Sequence, residues 1–228
     1  MRGILIALFM LPVFVYGQNY SKSISIAQKW DTILSNPVYV SFHSQTFGSP
    51  VAVVYKLYRG GGPCSRAGFN FINDLNIITA KSDDYLRSGY DKGHMANSED
   101  FANNCIYDEM TFRFYNCVPQ KPELNRGPWK TLEEKIRARS QVDSLLIFCV
   151  NVYGDTSLHL GRSAKALAPT ICIKGAKDMK TGAWIYLEKF TNTANPEQTH
   201  IEDPSEIGRS YGINLKLLEK LFRKNRKS

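Results

Sequence analysis

The chain has 228 residues, with 29 Lys and Arg against 21 Asp and Glu, for a formal net charge of +8. That length buries a full core without disulfide or metal staples, and five cysteines with no Cys-x-x-Cys pair argue against a zinc site. The positive field favours polyanionic partners and speeds their encounter, without identifying them.

Residues 1–17 have the layout of an export signal. Arg2 precedes an almost continuous apolar run from Ile4 to Tyr16, and Gly17 is a small residue at the expected cut, so Gln18 becomes the new amino terminus. Loss of Arg2 lowers the net charge by one. The apolar run is shorter than the about 20 residues a membrane span needs. Residues 18–228 are therefore expected to form one exported domain with no membrane segment in the mature form. The alternative is an uncleaved anchor or a buried first strand.

Val38–Phe42 and Val51–Tyr58 are rich in β-branched and aromatic residues and read as strands, the first closed by the polar loop His43–Pro50. Gly60–Pro63 reads as a loop. The turn-prone segment Gly89-Tyr-Asp-Lys-Gly-His-Met-Ala-Asn-Ser98 gathers an acid, a cation and an imidazole. Histidine is the side chain best suited to moving protons near neutral pH. Gly93 permits a bend or a close approach just before His94, and Lys92 sets a cation beside it.

Downstream comes Asn125-Arg-Gly-Pro-Trp-Lys-Thr-Leu-Glu133. Pro128 suits a first helical turn, and Trp129, Leu132, Ile136 and Val142 recur at roughly helical spacing. This predicts a helix over about 128–142, with Asn125 just before it and Glu133 inside. Leu145–Tyr153 is mostly apolar and reads as a central strand buried on both faces. Thr170–Lys174 and Ala183–Phe190 follow as strands joined through Asp178–Gly182 in a hairpin. A short helix is expected after Pro204 and before Gly208. In the tail, Lys216, Lys220, Arg223, Lys224, Arg226 and Lys227 alternate with Leu215, Leu217, Leu218, Leu221 and Phe222, predicting an amphipathic helix with a solvated cationic face. Strands and helices do not alternate regularly, which favours α+β, with a mainly antiparallel central sheet flanked by helices.

Among the cysteines, Cys105 and Cys117 are close enough in sequence to pair across a loop. Cys149 and Cys172 lie in strand-like runs, as buried thiols or as one core bridge, and sequence leaves the connectivity of these and Cys64 open. Trp30, Trp129 and Trp184 read as packing residues. His43, His159 and His200 have no partner motif and read as non-catalytic, and Asp91 as shaping its turn or holding a neighbour.

The two blocks resemble the DNA/RNA non-specific endonuclease family, the ββα-metal or His-Me finger nucleases. The family's Asp-Arg-Gly-His appears as Asp91-Lys92-Gly93-His94. Its Asn-x-x-Pro-Gln appears as Asn116-Cys-Val-Pro-Gln120, and its Leu-Asn-x-Gly-x-Trp and Leu-Glu as Leu124-Asn125-Arg-Gly127-Pro-Trp129 and Leu132-Glu133. The resemblance spans roughly residues 50 to 190, in order and in register.

It implies a ββα-metal motif and an exported endonuclease that cuts DNA and RNA through the phosphate backbone, with little sequence preference, leaving 5′ phosphates. Mg2+ would sit on the side-chain oxygen of Asn125, with Mn2+ as a substitute. His94 would be the general base and Glu133 would orient a water of the metal's shell. Lys92 and Arg66, the latter opening the family-like stretch Arg66–Asp74, would offset charge on the phosphoryl oxygens. Lys92 departs from the family's Arg, keeping the charge but lacking the bidentate fork.

Read without the resemblance, Asn125 is a helix cap, and Glu133 and Arg66 are solvated surface groups. The competing function is a secreted nucleic-acid-binding protein on an inactive nuclease scaffold. Nothing in the sequence specifies a protein inhibitor as partner.

Overall fold

The computed structural model describes residues 27–155, 158–160 and 166–226. The expected export signal and Lys227 lie outside the described residues. Strands β1 (Thr32–Ser35), β2 (Tyr39–Ser44) and β3 (Ser49–Leu57) lead the chain, followed by a long irregular stretch. Then come β4 (Asp91–His94), helix α1 (Cys105–Glu109), β5 (Cys117–Gln120), α2 (Pro122–Asn125) and α3 (Pro128–Arg139). Strands β6 (Leu145–Val152), β7 (Ile171–Asp178), β8 (Trp184–Thr191) and β9 (Gln198–His200) precede helices α4 (Ser205–Tyr211) and α5 (Leu215–Asn225).

Seven strands form one sheet in the order β1-β2-β3-β6-β7-β8-β9, antiparallel throughout, while β4 and β5 form a separate two-stranded ribbon. This is the mixed α+β architecture with a large antiparallel sheet that the sequence predicts. All eight residues of β6 are buried, as its apolar run requires. The β7–β8 connection is the expected hairpin, turned at Gly182 with φ of 76°, a conformation that favours glycine. No helix among the described residues is long and apolar enough to cross a membrane.

Side chains alternate across the sheet and divide the core in two. One cluster joins Val53, Tyr55, Ile147, Cys149, Cys172 and Ala176 to Trp129, Leu132 and Ile136 of α3. The other joins Val54, Phe148, Val150 and Ile173 to Ile207 of α4 and to Leu215, Leu218 and Phe222 of α5. All three tryptophans pack as expected: Trp129 is fully buried, and Trp30 and Trp184 stand against Phe42 and Phe148.

Several expectations change. Helix α3 ends at Arg139 with Ser140 as its C-cap, so Val142 leaves the packed face and is 72% exposed. Helix α4 runs through Gly208 and stops at Gly212 instead, where φ of 71° ends it in left-handed backbone. The disulfide joins Cys64 to Cys105, not Cys105 to Cys117. Cys117, Cys149 and Cys172 are free buried thiols, which burial pushes up to about 12.

Candidate active site

The segment Asp91–His94 is a strand, not a turn. It pairs with the second motif block, so that Asp91 faces Gln120 and His94 faces Cys117. Gly93 has no left-handed backbone; a Cβ there would lie 2.1 Å from the Gln120 side-chain oxygen. The glycine is needed for this close approach of β5, not for a bend. Asn116 then clamps the chain beyond the histidine. Its side-chain oxygen accepts from the Ala96 N–H at 2.8 Å, its amide donates to the Ala96 and Thr111 carbonyls, and its own carbonyl accepts from the Met95 N–H at 2.9 Å.

His94 is half-buried between the rings of Phe71 and Phe112, at centroid distances of 4.6 and 4.7 Å. Its Nε2 is enclosed without a hydrogen-bond partner among the described residues. Burial, with Arg66 and Lys174 adding positive charge nearby, lowers its pKa to about 3. The imidazole is therefore neutral at physiological pH, the form in which it can accept a proton.

Asn125 ends α2. The chain breaks helical geometry at Gly127 before α3 begins, so Asn125 and Glu133 stand on two helices rather than on one continuous run. The Asn125 amide nitrogen donates to Asp91 Oδ2 at 3.0 Å, which leaves its carbonyl oxygen as the end of the group available to the cleft. Arg126 adds a bidentate pair to the same carboxylate, at 2.8 and 2.6 Å. Burial alone would raise the Asp91 carboxyl. The hydrogen bonds from Arg126 and Asn125 outweigh it and hold the group below its ordinary value. Asp91 thus holds its neighbours, as the sequence predicts.

Glu133 is buried, not solvated. Its Oε1 accepts from Lys174 Nζ at 2.6 Å. Burial pushes the carboxyl up, and Lys174 is the largest influence opposing that rise. Beneath the cleft, Arg137 donates to Asp100 at 3.0 Å and the Tyr55 hydroxyl donates to its other oxygen at 2.8 Å. Lys92 donates to Ser82 Oγ at 3.1 Å, with its ammonium about 5.9 Å above the rings of Tyr85 and Phe114. Arg66 is exposed, 3.9 Å from Glu99.

One cleft of about 860 Å³ gathers all five residues proposed from sequence, Arg66, Lys92, His94, Asn125 and Glu133. It adds Arg126, Lys130 and Arg137, which sequence reasoning did not single out. Arg137 lies one helical turn after Glu133, a spacing that could have flagged it. Lys174 could have been flagged only as a cation inside the mostly apolar run from Ile171 to Ala176. The other histidines stay out: His43 is buried with Nε2 on the Ile78 carbonyl, and His200 pairs with Glu188 on the surface.

No group of three or more His, Cys, Asp or Glu among the described residues is placed to hold a metal. The candidate direct donor is instead the neutral amide oxygen of Asn125, with Glu133 lining the same cleft. That suits a hard cation that keeps most of its waters, not one caged by protein ligands.

The ribbon of β4 and β5 followed by α3 is the ββα arrangement of metal-dependent nucleases. The family model for DNA/RNA non-specific endonucleases matches residues 17–221. The chain belongs to the DNA/RNA non-specific endonuclease family.

Among curated proteins, it is 42% identical over 57 residues to the mitochondrial nuclease EXOG of Danio rerio, a match covering 25% of this chain and 17% of that protein. It is 29% identical over 92 residues to mitochondrial endonuclease G of Bos taurus, covering 40% and 31% respectively. It is 42% identical over 53 residues to a nuclease of Nostoc, covering 23% and 19%. These matches span less than a third of each relative. In fold, the chain is similar to a crystal structure of an EndoG/EndoGI complex, with a TM-score of 0.68 and 22% identity, covering 82% of this chain and 86% of that one.

Proposed function

We propose that this protein is an exported, magnesium-dependent endonuclease that hydrolyses phosphodiester bonds of DNA and RNA with little sequence preference. The carrying observation is the convergence of a neutral His94, the free carbonyl end of Asn125 and the carboxylate of Glu133 on one cationic cleft.

His94 takes the proton of the attacking water, a role for which burial keeps it unprotonated. Asn125, with its amide fixed by Asp91, would hold the metal, and Glu133 would accept a hydrogen bond from the metal's hydration shell. When bound, such a cation polarises the phosphate and offsets charge on the departing oxygen. Arg66 and Lys92 flank the site and offset charge on the phosphoryl oxygens. A cleft of Arg and Lys reads the backbone rather than base edges, which supports low sequence preference, and the family likeness implies products ending in 5′ phosphate. A protein inhibitor is a further kind of partner this reading allows, as the neighbouring EndoG/EndoGI complex has one.

The test is cleavage of supercoiled plasmid and of single-stranded RNA, with and without chelator. Both substrates should be cut, cutting should stop on chelation, and added Mg2+ should restore it. An unaffected plasmid under all conditions would leave a binding protein on an inactive scaffold. Asn125→Ala should need at least about tenfold more Mg2+ for half-maximal cutting; a titration that overlays the wild type would reduce Asn125 to a helix-end polar group. Export predicts a mature amino terminus at Gln18, which sequencing of the secreted protein checks.

A further inference from the structure

Lys174 lies in the middle of β7, fully buried, opposite Cys149 of β6. Its neighbours on that face of the strand are Cys172 and Ala176, both apolar in character. Burying an ammonium there costs several kcal/mol before its partners compensate. Apolar groups in place of the whole Lys174–Glu133 pair would cost no more, so stability alone does not account for the pair, although removing the lysine by itself strands a buried carboxylate.

Its contacts give another account. Nζ donates to Glu133 Oε1 at 2.6 Å and to the Met95 carbonyl at 3.3 Å, and it stands 4.7 Å from the Trp129 ring. Met95 follows His94 directly, and Glu133 and Trp129 belong to α3. One ammonium therefore ties the backbone that carries the imidazole to the helix that carries the carboxylate. Cys149 Sγ donates to the same Met95 carbonyl at 3.0 Å, fixing it from β6.

The buried charges also balance. Around Glu133 stand Lys174 from β7, Arg137 from its own helix, Asp100 from the turn after β4, Tyr55 from β3 and Cys149 from β6, while Lys174 also stands opposite Glu188 of β8, which pairs with His200, and adds positive charge near His94 of β4. Lys174 and Arg137 oppose Glu133 and Asp100. Without the lysine, two buried carboxylates would share one guanidinium, and Arg137 is already bonded to Asp100.

We propose that Lys174 is a positioning residue for the cleavage reaction, which locks Glu133 against the strand bearing His94 and keeps the Glu133 carboxylate charged. The proposal rests on the nuclease reading only for its effect on rate.

The experiment compares wild type, Lys174→Met, Lys174→Gln, Glu133→Gln and the double variant K174M/E133Q. It measures cleavage at saturating substrate across pH, melting temperature, and the Glu133 side-chain carboxyl by 13C NMR without nucleic acid, assigned by its loss in Glu133→Gln. K174M should keep the fold yet cut about 10–100-fold more slowly near neutral pH. Its acid limb should move up by about one to three pH units, with rate regained at alkaline pH, and the Glu133 carboxyl should titrate higher by the same amount. At alkaline pH, where His94 is neutral in every variant, the double variant should be no slower than Glu133→Gln alone, because the lysine acts through that carboxylate.

A fall equal at every pH, an unmoved Glu133 titration, or additive losses in the double variant would overturn the proposal. If K174M does not fold, Lys174→Gln, which keeps a donor for the Met95 carbonyl, carries the same comparison. A wild type that cuts no nucleic acid refutes the nuclease reading alone, and the carboxyl titration still decides the role of Lys174.

Discussion

The two faces of the large sheet are built from alternate residues of the same strands and each carries a buried apolar cluster, but the cleft face also buries an ion pair. On the cleft face, Ser41, Tyr55 and Lys174 bond to Tyr115, Asp100 and Glu133. On the back face, their sequence neighbours Val40, Val54 and Ile173 belong to an apolar cluster with Phe148 of β6, Ile207 of α4 and Leu218 of α5. Apolar burial stabilises at little cost in specificity, while buried polar pairs roughly break even and fix geometry instead. The back face therefore supplies stability. The cleft face gives up some of it to hold charged groups at set distances.

That division predicts variants that lose rate without stability, and others that do the reverse. The largest rate effect belongs to His94→Ala, which should lower cleavage by about 10²–10⁴-fold while leaving substrate binding and melting temperature near wild type. Turnover close to wild type in the folded variant would remove His94 as the base. On the back face, Phe222→Ala should cost about 3–5 kcal/mol of stability, since a nearly buried ring leaves a cavity. Denaturant unfolding checks the stability, and the saturated rate of the folded fraction should be unchanged. A matching fall in that rate would mean that the two faces are not separable.

Lys92 sharpens the comparison at the cleft rim. Lys92→Ala should reduce turnover by about tenfold or more if its charge opposes charge developing on the phosphate. Lys92→Arg should be tolerated, because the fork retains the charge and adds a second donor. If alanine alters only the salt dependence of binding, by about one phosphate contact, Lys92 belongs to the general basic field.

The smallest expected effect concerns pH. Burial depresses the His94 pKa from 6.5 to about 3, so the folded protein resists a proton that the unfolded chain accepts between those values. This contribution to stability is fully present above pH 6.5 and is lost as pH falls toward 3. Unfolding titrations of His94→Ala should therefore lose stability less steeply than wild type across that window. The acid limb of wild-type cleavage should also lie below 6.5; a limb at 6.5 would show that the imidazole titrates as if exposed.

Sequence by itself determined what local chemistry and periodicity can carry. The apolar run of β6, the alternating β7–β8 hairpin and the Trp129, Leu132, Ile136 stripe of α3 follow from spacing. The two motif blocks and the family-like stretch opening at Arg66 name the five residues that meet in one cleft. Local pattern could not decide where elements stop: α4 ends in left-handed backbone at Gly212, and α3 ends before Val142 although that residue continues its apolar spacing. It also could not see pairing between distant segments. The Asp91–His94 block reads as a turn until β5 supplies its hydrogen-bond partner, and Cys64 meets Cys105 across 41 residues. Glu133 looks like any helix carboxylate until β7 brings Lys174 beneath it. Burial and ion pairing are properties of neighbours in space, and only the tertiary structure chose them.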